Sequence, residues 1–140
     1  MTHPDPYRSY RFVVEIDGVQ RGGFQTVSGV ERQTEVEPYR EGGINHFERQ
    51  LVVKSTYPPL KLSRGLVDTD LWDWHQEVIN GDVERRTVAI VLLDDRGNEA
   101  VRWICEGAFP TKWTGAELDA ATGGVATETV ELVHHGMTRL

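Results

Sequence analysis

A single cysteine, Cys105, rules out an internal disulfide and points to synthesis in a reducing compartment. No apolar run approaches the ~20 residues a membrane-crossing helix needs, so no membrane anchor is expected. Basic side chains are scarce, fifteen against twenty-two acidic ones, and the net charge of −7 argues against a surface built to grip nucleic acid. The same charge leaves open a passage through which something anionic slides. The N-terminus, Met1-Thr2-His3-Pro4-Asp5-Pro6, has neither the basic nor the apolar region of a signal peptide. Internal repeats and low-complexity segments are also missing. What remains is ordinary for a globular chain, and 140 residues suffice for one core, so residues 1–140 are expected to form one domain.

Strand patterns dominate. Tyr10 to Asp17 alternates, Asp17-Gly18 reads as a turn toward Gln20 and Arg21, and Phe24 to Val27 follows Gly22-Gly23. Ser28-Gly29 marks a kink before a long alternating run from Val30 to Tyr39. After a polar loop with Gly42-Gly43 at its centre, Gln50 to Lys54 is strand-like, and Tyr57-Pro58-Pro59 separates it from Leu60-Lys61-Leu62. Asp68 or Thr69 can cap a helix, with Asp70 in its first turn and Leu71, Trp74 or His75, Val78 and Ile79 at helical spacing. Gly81 after Asn80 stops it. Thr87 to Leu93 is apolar on both faces, Asp95-Arg96-Gly97-Asn98 turns, and Ala100 to Gly107 returns as the second strand of a hairpin. Trp113 to Gly124 reads as an irregular connection, and Val125 to His135 closes the chain as a strand. The expected fold is mainly β, a barrel or sandwich of about seven strands with one flanking α-helix.

Nothing in this pattern is arranged for catalysis. His134 and His135 are neighbours on an expected strand, so their rings point to opposite faces and cannot chelate one metal. His75 falls on the apolar side of the helix, where a packed histidine is expected. Cys105 lies between Ile104 and Glu106 inside a strand, the setting of a small buried hydrophobe, with no base and orienting carboxylate beside it. Gly22-Gly23 and Gly42-Gly43 do not stand between a strand and a helix, which argues against a phosphate cradle. Four tryptophans, Trp72, Trp74, Trp103 and Trp113, are spread over helix, strand and loop. They suit burial or subunit contacts better than a sugar platform. No catalytic, cofactor or metal site is therefore assigned.

The two long strands are the unusual feature. Glu31, Gln33, Glu35 and Glu37 share one face of Val30–Tyr39, and Thr127, Thr129 and Glu131 share one face of Val125–His135. Such a face is either solvated or lines an aqueous channel made by several subunits. Long strands with open edges need partners, and a ring of identical copies supplies them.

A series of blocks extends along the chain: Asp5-Pro6-Tyr7-Arg8 into Phe12–Gly18, Gly23-Phe24 with Val27-Ser28-Gly29, Glu35–Gly42, and Leu62–Leu66. Asp70–Asn80, Ala108–Gly115 and Glu128–Gly136 complete it. In order and spacing these blocks resemble the contractile tail tube family, the inner tubes of contractile phages and of extracellular contractile injection systems. Leu51-Val52-Val53-Lys54-Ser55 departs from it, because many relatives carry a Leu-Pro-Gly-type turn there.

The resemblance implies a structural subunit of stacked hexameric rings with a polar, acidic lumen through which protein or DNA passes. The lumen-facing candidates are then Glu31, Gln33, Glu35, Glu37, Thr127, Thr129 and Glu131. Tyr39, Arg40, Glu41, Ile44, His46, Phe47 and Arg49 become candidates for contact between subunits or rings, and Leu71, Trp72 and Trp74 for contacts of the helix. The implied partners are further copies of the chain, a contractile sheath, baseplate and tape-measure components and the cargo, with no cofactor. Assembly in the cytoplasm and release in an extracellular particle or virion follow from the same resemblance. The alternatives are a baseplate-proximal tube initiator, a type VI secretion tube ring and a monomeric ligand-binding β-barrel.

Overall fold

A computed structural model describes residues 10–39, 49–115 and 127–140. Among these residues lie nine strands and one helix: β1 (Phe12–Ile16), β2 (Val19–Ser28), β3 (Gln33–Tyr39), β4 (Arg49–Thr56), β5 (Leu60–Val67), α1 (Thr69–Ile79), β6 (Arg86–Leu93), β7 (Glu99–Gly115), β8 (Glu128–Val133) and β9 (Met137–Arg139). Six strands in the order β6-β1-β2-β5-β8-β7 form an antiparallel sheet, and pairing of β6 with β7 closes it into a barrel. The short β9 adds to β7 through Trp103–Cys105. β3 and β4 pair only with each other, as a separate hairpin.

Alternation along each barrel strand sorts side chains into an apolar interior and an outer face. Val14, Ile16, Phe24, Leu60, Leu62, Val88, Ile90, Cys105, Val130 and Leu132 pack together inside it. Phe24 gets its place because Gly65 sits opposite it: a Cβ on Gly65 would lie 1.9 Å from the Gly23 carbonyl oxygen and 2.5 Å from the Phe24 ring. β6 is buried on both sides, as its unbroken apolar run predicts, with Val91 packed on Val13 and Leu93 across the outer surface. On that surface Arg102 of β7 reaches across β6 to both carboxylate oxygens of Glu15 on β1, at 2.7 and 3.1 Å, and also pairs with Glu99. The two carboxylates raise the guanidinium's pKa further, and the bond from Arg102 lowers that of Glu99.

The helix forms where the sequence places it. Asp68 caps it by accepting from the Leu71 backbone N–H at 2.9 Å, and Gly81 follows in a left-handed conformation (φ 93°). Leu71 and Trp74 belong to the barrel's own core cluster, so α1 completes that core, packed mainly on β7.

Four expectations change. β7 does not end at Gly107 but runs to Gly115. Gly107 and Pro110 look like breakers in sequence, yet they mark where the strand leaves β6 and takes β8 as partner. Gly107 has φ 63°, and any Cβ there would lie 1.4 Å from the His135 ring, so the corner is open to glycine alone. β3 begins at Gln33 rather than Val30, and β8 spans Glu128–Val133 with His134 and His135 in the turn after it. β5 continues past Leu62 to Val67, across a bulge at which Arg64 takes a left-handed backbone. β9 had no periodic signal, being only three residues long.

Candidate functional site

The polar strand faces are built differently from what a single-strand reading suggests. On β8, Val130 and Leu132 point into the barrel, which leaves Thr129 and Glu131 on the outer face; Thr127 stands just before the strand. The register then sets Glu131 between two cations, Lys61 on β5 and Lys112 on β7, whose Nζ is 3.7 Å from the Glu131 carboxylate. Thr129 neighbours Thr114, and Ser28 of β2 extends the row beside Lys61. The outer face of the β2-β5-β8-β7 sheet is therefore polar and of mixed sign. The acidic face expected on β8 misses Lys61 and Lys112 because they lie on other strands, although both sit at outward positions of readable alternations.

Gln33, Glu35 and Glu37 do share one face of β3, but on the separate hairpin, and every residue of β3 and β4 is exposed. Lys54 pairs with Glu35 at 3.7 Å, and Arg49 stands opposite Tyr39, so cations from β4 temper this acidic row too. Glu31 precedes the strand and lines an open hollow of about 450 Å³ with Val30, Arg32, Trp103, Met137 and Arg139. The structure thus does not bring the two sets of lumen candidates into one sheet of one subunit. The remaining loop candidates Arg40, Glu41, Ile44, His46 and Phe47 lie outside the described residues.

Two features of this surface ask for partners. The barrel's outer wall has two open edges among the described residues: β1 pairs with β2 only as far as Phe24, and β7 beyond Phe109 pairs only with β8. The flanks of Thr26–Ser28 and Lys112–Gly115 are left without a partner strand. The hairpin meanwhile exposes Val36, Tyr39, Leu51, Val52 and Val53, Val52 by 72%.

The helix candidates divide. Leu71 and Trp74 are each 1% exposed and are spent on the core, so neither is available for contact with another molecule. Trp74 also donates its Nε1–H to the Glu84 carbonyl at 2.8 Å and carries the Arg86 guanidinium over its ring. Trp72 is open to solvent and meets Trp113 edge-on, with ring centroids 4.7 Å apart. Trp113 in turn donates to Glu128, whose other carboxylate oxygen accepts from the Val67 backbone.

Among the described residues no catalytic geometry emerges. Burial pushes the Cys105 thiol up to about 11, far from a nucleophilic thiolate. Among the described residues no group of His, Cys, Asp and Glu has the geometry of a metal site, and no helix is long and apolar enough to cross a membrane. His134 is buried beside Tyr57, ring centroids 5.3 Å apart, and its Nδ1 donates to the Gly136 carbonyl at 3.1 Å. Its Nε2 is buried with no hydrogen-bond partner among the described residues. Desolvation lowers its pKa, opposed by the bond to Gly136 and assisted by His135. A lowered folded-state pKa means stability present above the unfolded value of about 6.5 and lost as pH falls below it. The subunit's denaturation midpoint is accordingly expected to drop between pH 7.5 and 5, and His134→Phe to flatten that slope. An identical slope in the variant would assign the effect to other groups.

The sequence model of the T4-like virus tail tube protein gp19 matches residues 8–138. Among solved structures, the chain is similar to one in the baseplate of the anti-feeding prophage, at 28% identity over 100% of this chain and 97% of that one, with a TM-score of 0.71. It is similar at 26% identity, over 99% and 92% of the two chains, to one in the extended sheath-tube complex of PVC, an extracellular contractile injection system (TM-score 0.74). Hcp1 from Flavobacterium johnsoniae, at 12% identity and a TM-score of 0.54 over 93% of this chain and 94% of that one, shares the fold. No curated protein matches the chain in sequence.

Proposed function

Because the chain belongs to the T4-like virus tail tube family, a family of structural proteins, we propose that it is the repeating subunit of a contractile particle's inner tube, stacked as hexameric rings around a polar lumen. The supporting observation is the β2-β5-β8-β7 sheet, which has one polar face turned away from the core and an unpaired flank on each outer strand. β2 and β7 run in opposite directions across it, so β7 of one copy can meet β2 of the next as an antiparallel pair. Repeated around a ring, this closes both barrel edges and turns the polar face into a continuous wall.

In this reading Thr127, Thr129 and Glu131 face the lumen together with Lys61, Ser63, Lys112 and Thr114. Glu31, Gln33, Glu35 and Glu37 move to subunit contacts with the hairpin, as does Tyr39. The wall then carries acid and base side by side instead of a bare acidic row. A basic wall would hold a polyanion by its phosphates; here Glu131 stands between Lys61 and Lys112, with neutral Ser63, Thr114, Thr127 and Thr129 around them, so neither sign forms a continuous track. Such a lumen suits transit of protein or nucleic acid without retention. The chain performs no catalysis and needs no cofactor. Its partners are further copies, a sheath, baseplate and tape-measure components, and the cargo. Assembly takes place in the cytoplasm before release in an extracellular particle or virion; the extracellular setting is that of the similar PVC system.

Negative-stain electron microscopy of the purified protein is expected to reveal rings of six or hollow tubes, and a strict monomer at high concentration would overturn the reading. In assembled tubes, Thr129→Cys should react with a small maleimide and resist one coupled to a carrier wider than the tube. Equal reaction with both would move this face to the outside.

A further inference from the structure

α1 carries three distinct stripes. Leu71, Trp74 and Val78 are the buried one, and Asp70, Asp73 and Glu77 form an acidic one without any Lys or Arg in the helix. The third, Trp72, His75, Gln76 and Ile79, follows the i, i+3, i+4, i+7 spacing of a helix face that contacts something. With Trp113 these four residues line an open groove of about 190 Å³. Trp72 and Ile79 are 44% and 64% exposed, and nothing among the described residues covers them. A wet tryptophan already held edge-on by a second one is a preordered anchor for an interface.

We propose that this groove receives the β3–β4 hairpin of a second copy, with β4 lying along α1. β4 is the chain's counterpart in both respects. It exposes Leu51, Val52 and Val53 and carries Arg49 and Lys54 with no acid, against a helix that exposes Trp72 and Ile79 and carries acids with no base. Leu51 lies between the two cations on one face, so a single strand face can set an apolar side chain in the groove and lysine or arginine beside Asp73 and Glu77. Some of this charge is shared already: Lys54 meets Glu35 in a solvent-exposed pair of small worth, Arg21 holds Asp70, and the part-buried Arg86 meets Glu77 at 3.9 Å. The two surfaces lie on different parts of the subunit, so the contact is head-to-tail and propagates from copy to copy. This inference rests on the self-assembly proposed above and names the surfaces that carry part of it.

Two single variants, Ile79→Cys and Leu51→Cys, test it in the full chain. Cys105 is fully buried with a raised pKa and stays silent. After co-assembly of the two proteins, a short bis-maleimide is expected to yield cross-linked dimers that neither variant gives alone. Maleimide labelling of Ile79→Cys should also slow about tenfold or more on assembly, as a residue in a desolvated interface core does. Rings that form without the cross-link overturn this inference and leave the tube assignment standing, whether the groove proves open or protected by a sheath-type partner. Failure of unmodified protein to assemble overturns both. Should Ile79→Cys itself block assembly, Gln76→Cys at the same groove replaces it, with the same outcomes.

Discussion

Trp74→Ala is expected to remove about 3–5 kcal/mol of folding stability, the usual cost of truncating a buried aromatic side chain. Trp74 is 1% exposed and sits with Leu71 among the barrel's own core residues. Its loss would open a void where β7 has left β6, a place no strand can fill. It also frees the Glu84 carbonyl that the indole N–H holds at 2.8 Å, loosening the link between helix and β6. Against a total stability of about 5–15 kcal/mol this is a large fraction, and a fall of ~10 °C or more in the midpoint follows. Urea denaturation of the monomeric subunit measures it. Trp72→Ala is the control, because Trp72 is half exposed on the opposite side of the helix. It should cost under about 1 kcal/mol as a surface change while impairing assembly. Equal destabilisation by the two variants would contradict the stripe assignment of α1.

That contrast shows how legible the chain is. The helix, its Asp68 cap and its Gly81 stop follow from local chemistry: a carboxylate accepting from a nearby N–H, and apolar spacing near 3.6. The inward set Val130 and Leu132 follows equally from alternation, and the burial of β6 from its unbroken apolar run. Which apolar helix residues stay exposed does not, since Leu71 and Trp72 are neighbours of similar hydrophobicity and only the docking angle on β7 separates them. β7 defeats local reading for the same reason. Gly107 and Pro110 break strands on average, yet here they serve a corner that exists only once β6 and β8 are both in place. The electrostatic character of a sheet face is non-local as well. Glu131 looks acidic along β8, and its neutralising partners Lys61 and Lys112 are 70 and 19 positions away in sequence, brought alongside by register.

Excising residues 33–56 should produce the sharpest separation between folding and assembly. Gln33 and Thr56 are directly paired, so Arg32 and Tyr57 leave the hairpin close together. A bridge of about two to four Gly and Ser residues can rejoin them, since paired strands lie ~5 Å apart. Neither β3 nor β4 contributes to the buried core, and neither pairs with a barrel strand among the described residues. The shortened subunit is therefore expected to unfold within a few degrees of the intact one, while ring and tube formation is lost. The physical reason lies in the hairpin itself. A two-stranded ribbon is marginal in water, and one that exposes valines, a leucine and a tyrosine on unpaired edges invites aggregation. Under the proposed assembly its stability comes from a surface of another subunit, and an identical copy is present whenever the particle is built. If the excised chain fails to fold, the hairpin supports its own barrel after all. If it still forms rings, the contacts that close them are the β2 and β7 edges alone, and the hairpin answers to another partner.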